Sequence, residues 1–488
     1  MNKDLTIKKA AVILRAFLVL VAAGGPGPVK PGERAALYRE TYRPQFHFTP
    51  ARNWTNDPNG LVFYKGTYHL FFQHNPFGTE WGNMTWGHAE SRDLVHWTEG
   101  APAIRPDRLG TIFSGSAVVD RANTSGFGTG PEKPIVCIYT AAGGTSAESA
   151  GQPFTQCLAY SIDRGATWTK YEKNPVLGHV AGSNRDPKVV WYEPAKTWVM
   201  ALYLDGSDYA LFGSKDLKAW TKLCDVPMPG TSECPDFFEL PVDGEPDRRL
   251  WVFWGANGNY RLGAFDGRSF RPETDVLRSL WGANDYAAQT YSDLPASDGR
   301  RIQISWMSGG KYPGMPFNQQ MSFPRELRLR TTPQGARLFI TPVREVETLR
   351  ASRKNWKGTA VKAGAPDLPL GRGELWDIEA DLEPRAAREV GLRVRGTEIV
   401  YDAEAKTLSC LGRTAPVELD GGRLALRVLV DRASIEIFAG GGAVTMCSCF
   451  LPDPADLSLG AFARGGEAAI ARLTLYRLES IWPEARLH

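Results

Sequence analysis

Three segments place a carboxylic acid where acid–base chemistry is possible: Asp57 in WTNDPNG, Asp186 in RDPKVVW and Glu233 in ECPDFFEL. Taken singly, an Asp before Pro reads as a turn residue and a Glu as a solvated surface charge. Each, however, opens an apolar run of strand character, and such runs recur along the chain. If the runs are equivalent strands of a repeated unit, their first residues converge on one cavity despite their distance in sequence. Carboxylic acids crowded in a low-dielectric cavity repel, so at least one pKa rises. A protonated carboxylic acid beside an ionised one is what cleavage of a glycosidic bond requires. Trp54, Trp81, Trp86 and Trp306 lie near the same motifs, where they offer platforms for sugar rings or packing for the sheets.

The elements that must position these groups are short. From Gln45 to about Arg344, aromatic and β-branched runs are broken by Gly, Asn, Asp and Pro, without long helical periodicity. Two internal repeats are visible. The first is a polar turn followed by an aromatic: Ser91 and Asp93 before Trp97, Ser161 and Asp163 before Trp168, Ser214 and Asp216 before Trp220, and Asp266 before Phe270. The second is an acidic or amide residue opening an apolar hairpin, clearest in NDPNGLVFYKGTYHLFFQ, RDPKVVWYEPAKTWVMAL and ECPDFFELPVDGEPDRRLWVFW. Together they make about five units of roughly 50 to 70 residues, each supplying four strands, which is the signature of β-propeller blades. The expected fold is therefore all-β: a five-bladed propeller over residues 42–344, then a β-sandwich over 358–488. The sandwich is read from strict alternation in LWDIEADL, LRVRGTEIVYD and LALRVLVDRASIEIFAGG. Between them, TPVREVETLRASRKNW reads as a short amphipathic connector helix, with 345–357 as the linking segment.

Composition agrees with this reading and closes off others. The 488 residues are 43% apolar and 23% charged, with 50 Gly, 34 Pro and 15 Trp, which excludes a coiled coil, a membrane bundle or a helical array. A net charge of only +3 leaves no electrostatic footprint for nucleic acid or an anionic membrane. The seven cysteines include no CxxC pair, and the seven histidines show no recognisable ligand spacing, so neither a metal nor another cofactor is called for. Cys447 and Cys449 in TMCSCF share one face of a strand. At the N-terminus, Lys3, Lys8 and Lys9 precede AAVILRAFLVLVAAGG, the layout of a secretory signal peptide, although Arg15 interrupts the apolar run. GGPGPVKPGE then reads as a linker, so residues 1–41 are expected to be leader and linker, and the mature protein secreted or periplasmic.

The motifs WTNDPNG, YHLFFQHNP, WGNMTWGH, FSGSAV, RDPKVVW, ECPDFFEL and YAAQTY occur in an order that resembles glycoside hydrolase family 32. The resemblance runs from about Tyr42 to the C-terminus and includes DRASIEIFAGGG. That family contains invertases, inulinases, levanases and fructan β-fructosidases on a five-bladed propeller followed by a β-sandwich. The resemblance implies that Asp57 is the nucleophile, Glu233 the general acid–base, and Asp186, with Arg185 beside it, the stabiliser of the oxocarbenium-like transition state. It implies that Asn56, Gln73, Trp81, Phe113 and Ser114 line the pocket for a terminal fructose. Thr55 stands where the family usually has Met. On physical grounds Asn56, Asn59 and nearby N–H groups should lower the pKa of Asp57, while burial and two neighbouring carboxylates should keep Glu233 protonated. The outcome expected is retention of configuration through a covalent intermediate, with no metal.

The substrate expected is a fructan, levan or inulin, together with sucrose. WMSGGKYPGMPFNQQMSFPREL is similar to bacterial fructan-degrading members, which points to release of terminal fructose. The alternatives are an endo-levanase or fructosyltransferase of the same family, an inverting five-bladed hydrolase of arabinose or xylose polymers, and a non-catalytic carbohydrate-binding module. The sequence sets no oligomeric state.

Overall fold

The computed structural model describes residues 37–482. The signal peptide expected at the N-terminus lies outside the described residues. The chain is all-β, with only three short 3-10 turns among the described residues.

Five sheets follow one another up to Pro342. The strands Asn53–Tyr64, Thr67–Asn75, Thr85–Ser91 and Trp97–Glu99 form the first, with Phe317–Asn318 added in parallel at its edge. Thr111–Val119 begins the second sheet, Arg185–Tyr192 the third, Asp236–Pro241 the fourth and Tyr286–Thr290 the fifth. These opening strands also touch in sequence order, first to second through to fifth, and the fifth touches the first. The polar turn repeat has a single physical role in all copies, joining the third strand of a sheet to its outer segment. Asp93 Oδ1 accepts the Val95 and His96 N–H groups, Asp216 Oδ1 those of Lys218 and Ala219, and Asp266 Oδ1 those of Arg268 and Ser269. Asp163 does the same for Thr167. Aspartate recurs because its short carboxylate can cap its own turn.

Two six-stranded sheets follow and share one apolar core that includes Ile378, Val390, Tyr401, Val428 and Leu473. The connector departs from expectation. The 3-10 turn Arg344–Leu349 stops after about two turns, and Arg350–Val361 is an edge strand paired with Ala468–Leu478. RASRKNWKGTAV is exposed along nearly its whole length, and its long polar side chains suit an exposed sheet edge.

The two regions are joined through buried charge. His47 Nδ1 lies 2.8 Å from Asp431 and its Nε2 2.6 Å from Glu436, all three side chains being fully buried. Asp431 also accepts the Gln45 and Phe46 N–H groups, and Glu436 accepts that of Phe323. Gly282 packs so close to the backbone of Cys447 that a Cβ would lie 2.1 Å from the carbonyl oxygen. Cys447 itself bonds Glu436, while Cys449 lies near Tyr312, and all seven cysteines are free thiols.

Burial alone would lower the His47 pKa, but the hydrogen bonds to Asp431 and Glu436 outweigh it and raise the value from 6.5 to about 9. A group whose pKa is raised on folding stabilises fully below its unfolded pKa and loses that contribution as pH passes its folded value. The melting temperature should therefore fall between pH 6.5 and 9.5, and His47→Gln should flatten that decline. The same substitution should cost about 3–5 kcal/mol near neutrality, because it leaves two buried carboxylates unpaired. Thermal melts of both proteins across this range check the expectation.

Candidate active site

Asp57 lies near the start of the first opening strand, Phe113 and Ser114 in the second, and Arg185 and Asp186 at the start of the third. Glu233 precedes the fourth and Tyr286 begins the fifth. The regular pairing of several of these strands breaks at these points. Register shifts fall between Thr55 and Pro58, between Ile112 and Gly115, and between Tyr286 and Gln289. Such irregularities re-aim side chains that a regular pleat would turn away. Asp186, Glu233 and Cys234 have positive φ values of 66°, 59° and 36°, a strain that the surrounding sheets must hold.

The result is one pocket of about 190 Å³. It brings together all nine residues expected from the sequence: Asp57, Glu233, Asp186, Asn56, Gln73, Trp81, Phe113, Ser114 and Arg185. Cys234, Tyr286 and Trp306 complete the lining. Cys234 and Tyr286 were not singled out, although both lie inside the motifs ECPDFFEL and YAAQTY. A larger cavity of about 690 Å³, near Trp191 and Trp251, holds none of these groups.

Hydrogen bonds fix the carboxylates in different ways. Asp57 Oδ2 accepts the Ser114 hydroxyl at 2.5 Å, and Oδ1 accepts the Asn56 amide at 3.2 Å. Asn56 is itself held by the Trp54 indole N–H at 2.8 Å. Asp186 Oδ2 accepts the Cys234 N–H at 3.1 Å. The Cys234 thiol sits between the acids, 3.4 Å from Asp57 and 3.5 Å from Asp186. Glu233 accepts Arg185 Nη2 on one oxygen and the Tyr286 hydroxyl on the other, each at 2.5 Å. Gln73 is buried with its Nε2 unpartnered, a donor available to a hydroxyl in the pocket.

The direction of the Asp57 shift departs from expectation. Burial raises the pKa of Asp57, with the Glu233 charge adding to it, against the bonds from Ser114, Asn56 and Cys234. Burial also raises Asp186 to about 7, with Arg185 opposing and the charges of Asp57 and Glu233 adding. Asn59 makes no bond to Asp57: its Oδ1 accepts the Gly115 N–H and its Nδ2 is buried without a partner. Glu233 is about a third exposed at 32% and paired with Arg185, so burial does not isolate it. Trp86 is not a sugar platform: it is fully buried, and its indole N–H bonds the Phe113 carbonyl. Thr55 is buried behind the pocket and bonds the Gln73 carbonyl. Trp81, at 55% exposure, stands edge-on to Phe113 at the mouth.

A sugar-sized pocket ringed by three carboxylates and edged with tryptophan defines a carbohydrate-cleaving site. The sequence matches the N-terminal domain of glycosyl hydrolases family 32 over residues 47–342 and that family's C-terminal domain over 345–477. It is 40% identical to a levanase of Bacillus subtilis (strain 168), across 92% of this chain and 72% of that protein. It is 31% identical to an extracellular exo-inulinase of Aspergillus awamori, across 91% of this chain and 96% of the other. The crystal structure of exo-inulinase from that fungus superposes with a TM-score of 0.83 at 29% identity, covering 91% of this chain and all of that one. The chain belongs to glycosyl hydrolase family 32 and is a glycosidase of the β-fructofuranosidase type.

The Ser114 hydroxyl favours the ionised form of Asp57, so its removal should raise that pKa further. Ser114→Ala should move the acid limb of kcat/KM upward by about one pH unit, the equivalent of one hydrogen bond to a charged group. A pH profile with sucrose as substrate measures this.

Proposed function

We propose that the protein is a retaining exo-β-fructosidase that releases terminal fructose from levan or inulin and also cleaves sucrose. The observation that carries the reading is the convergence of Asp57, Asp186 and Glu233 on one small pocket with Trp81 at its mouth. A volume of about 190 Å³ suits one furanose ring rather than the interior of a polymer.

In this reading Asp57 attacks the anomeric carbon and forms a fructosyl-enzyme. Glu233 protonates the departing oxygen, then takes a proton from the incoming water. Asp186 and Arg185 hold the ring hydroxyls and the transition-state charge. The Arg185–Glu233 pair of the free site supports this division, because a sugar in the pocket would cover Glu233 and compete for the guanidinium. The ordering of Asp57 by Ser114 and Asn56 suits a group that must present one oxygen in a fixed direction.

The fold belongs to the same reading. The ring of contacts among the five opening strands supports a closed five-bladed propeller over residues 42–344, and the shared core of the two later sheets supports a sandwich. The sandwich then begins at Arg350, because the connector is one of its edge strands. Export is part of the proposal, supported by the leader pattern at 1–41 and by the description of the fungal relative as extracellular. No helix among the described residues is long and apolar enough to cross a membrane.

Product chromatography after incubation with levan, inulin and sucrose tests the proposal. Fructose as the sole early product from a polymer is the expected result. Oligomers appearing first would mean endo action, fructose-extended sugars would mean transfer, and no product from any of the three would remove the reading.

A further inference from the structure

We infer that the outer part of the first sheet carries a binding site for a divalent transition-metal ion, with His69, His88 and Glu90 as its ligands. The site is separate from the catalytic pocket, shares no residue with it, and does not depend on the proposed reaction.

The sheet register creates the cluster. His69 on Thr67–Asn75 is directly paired with Glu90 on Thr85–Ser91, and His88 lies two residues before Glu90 on the same face. Three donor atoms from adjacent strands therefore meet although 19 residues separate the two histidines in sequence. His69 Nδ1 is 3.1 Å from His88 Nε2 and 3.5 Å from Glu90 Oε1, and the remaining side of the triangle is 3.9 Å. Donors about 2.0–2.1 Å from a tetrahedral zinc stand roughly 3.4 Å apart, so the triangle needs little adjustment to take the ion. Two imidazole nitrogens and one carboxylate are a common protein set for such an ion, with a fourth position left for water.

A bond between the two imidazoles accounts for His69 Nδ1 and His88 Nε2 but leaves Glu90 Oε1, 3.5 Å and 3.9 Å from them, outside it, whereas an ion would take all three donors. Access exists as well. A surface cavity of about 410 Å³ reaches His88 and Glu90 and is closed on its far side by Gly165 and Trp168 of the second sheet. Gly165 lies against the His69 ring, where a Cβ would come within 2.7 Å of Cε1, and Trp168 stands edge-on to His88. A bound ion would fix both rings against that neighbouring loop and stabilise the contact between the first two sheets. Arg92, the cation that opposes the charge on His69, directs its guanidinium to the Gly66 carbonyl.

The test uses the full chain after chelator treatment, titrated with Co²⁺ and then with Zn²⁺. One Co²⁺ per chain with the visible bands of a tetrahedral site, displaced by Zn²⁺, is expected, together with a melting temperature raised by Zn²⁺. Glu90 is partly exposed, so Glu90→Gln should melt like the wild type without metal yet bind at least about tenfold more weakly. Absence of the cobalt bands, or equal binding by wild type and Glu90→Gln, would overturn the site.

Discussion

Three carboxylic acids occupy one pocket served by one guanidinium, and that imbalance governs the structure around it. Two unit charges 4 Å apart repel by about 4 kcal/mol at an effective dielectric near 20. The site cannot hold three full negative charges at low cost: Asp57 and Asp186 both rise on burial, and Arg185 pairs with Glu233 while flanking Asp186. Cys234 completes the arrangement, its thiol between two acids and its N–H on one of them. The unfavourable φ values at Asp186, Glu233 and Cys234 cost on the order of 1–3 kcal/mol each. They persist because the strands that carry them are packed into buried apolar clusters through Val189, Val190 and Phe237.

That support extends beyond the pocket. Lys188, two residues from Asp186, is buried against Asp236 and the Thr290 carbonyl, linking the third, fourth and fifth sheets directly beneath the site. The buried triad of His47, Asp431 and Glu436 then anchors the start of the described chain to the C-terminal sheets, and Arg325 with Asp285 adds a second buried pair nearby. Among the described residues, those that line the pocket all come from the first five sheets and the segments that join them.

Much of this was legible in the sequence because a repeated sheet maps equivalent residues to equivalent places. The aspartate-capped turns and the acidic strand starts marked the units, and all nine residues named for the pocket meet there. What escaped was whatever depends on a second strand or on local dielectric. Trp86 looked the same as Trp81 in sequence, yet one is core and the other half-exposed. The segment after Leu349 reads as an amphipathic helix, yet pairing with Ala468–Leu478 makes it a strand. The upward shift of Asp57 escaped because burial outweighs the bonds from Ser114 and Asn56. The cluster of His69, His88 and Glu90 was invisible because strand register, not spacing, creates it.

The central claim is that Asp57 forms the bond to fructose while Glu233 manages the proton. The most direct measurement uses Glu233→Gln with a fructoside bearing a good leaving group, quenched in acid and mapped by peptide mass spectrometry. The leaving group needs no acid, but water lacks its base, so a fructosyl adduct should accumulate on the peptide containing Asp57. An adduct on the peptide containing Asp186, or turnover with inverted configuration and no adduct, would contradict the account.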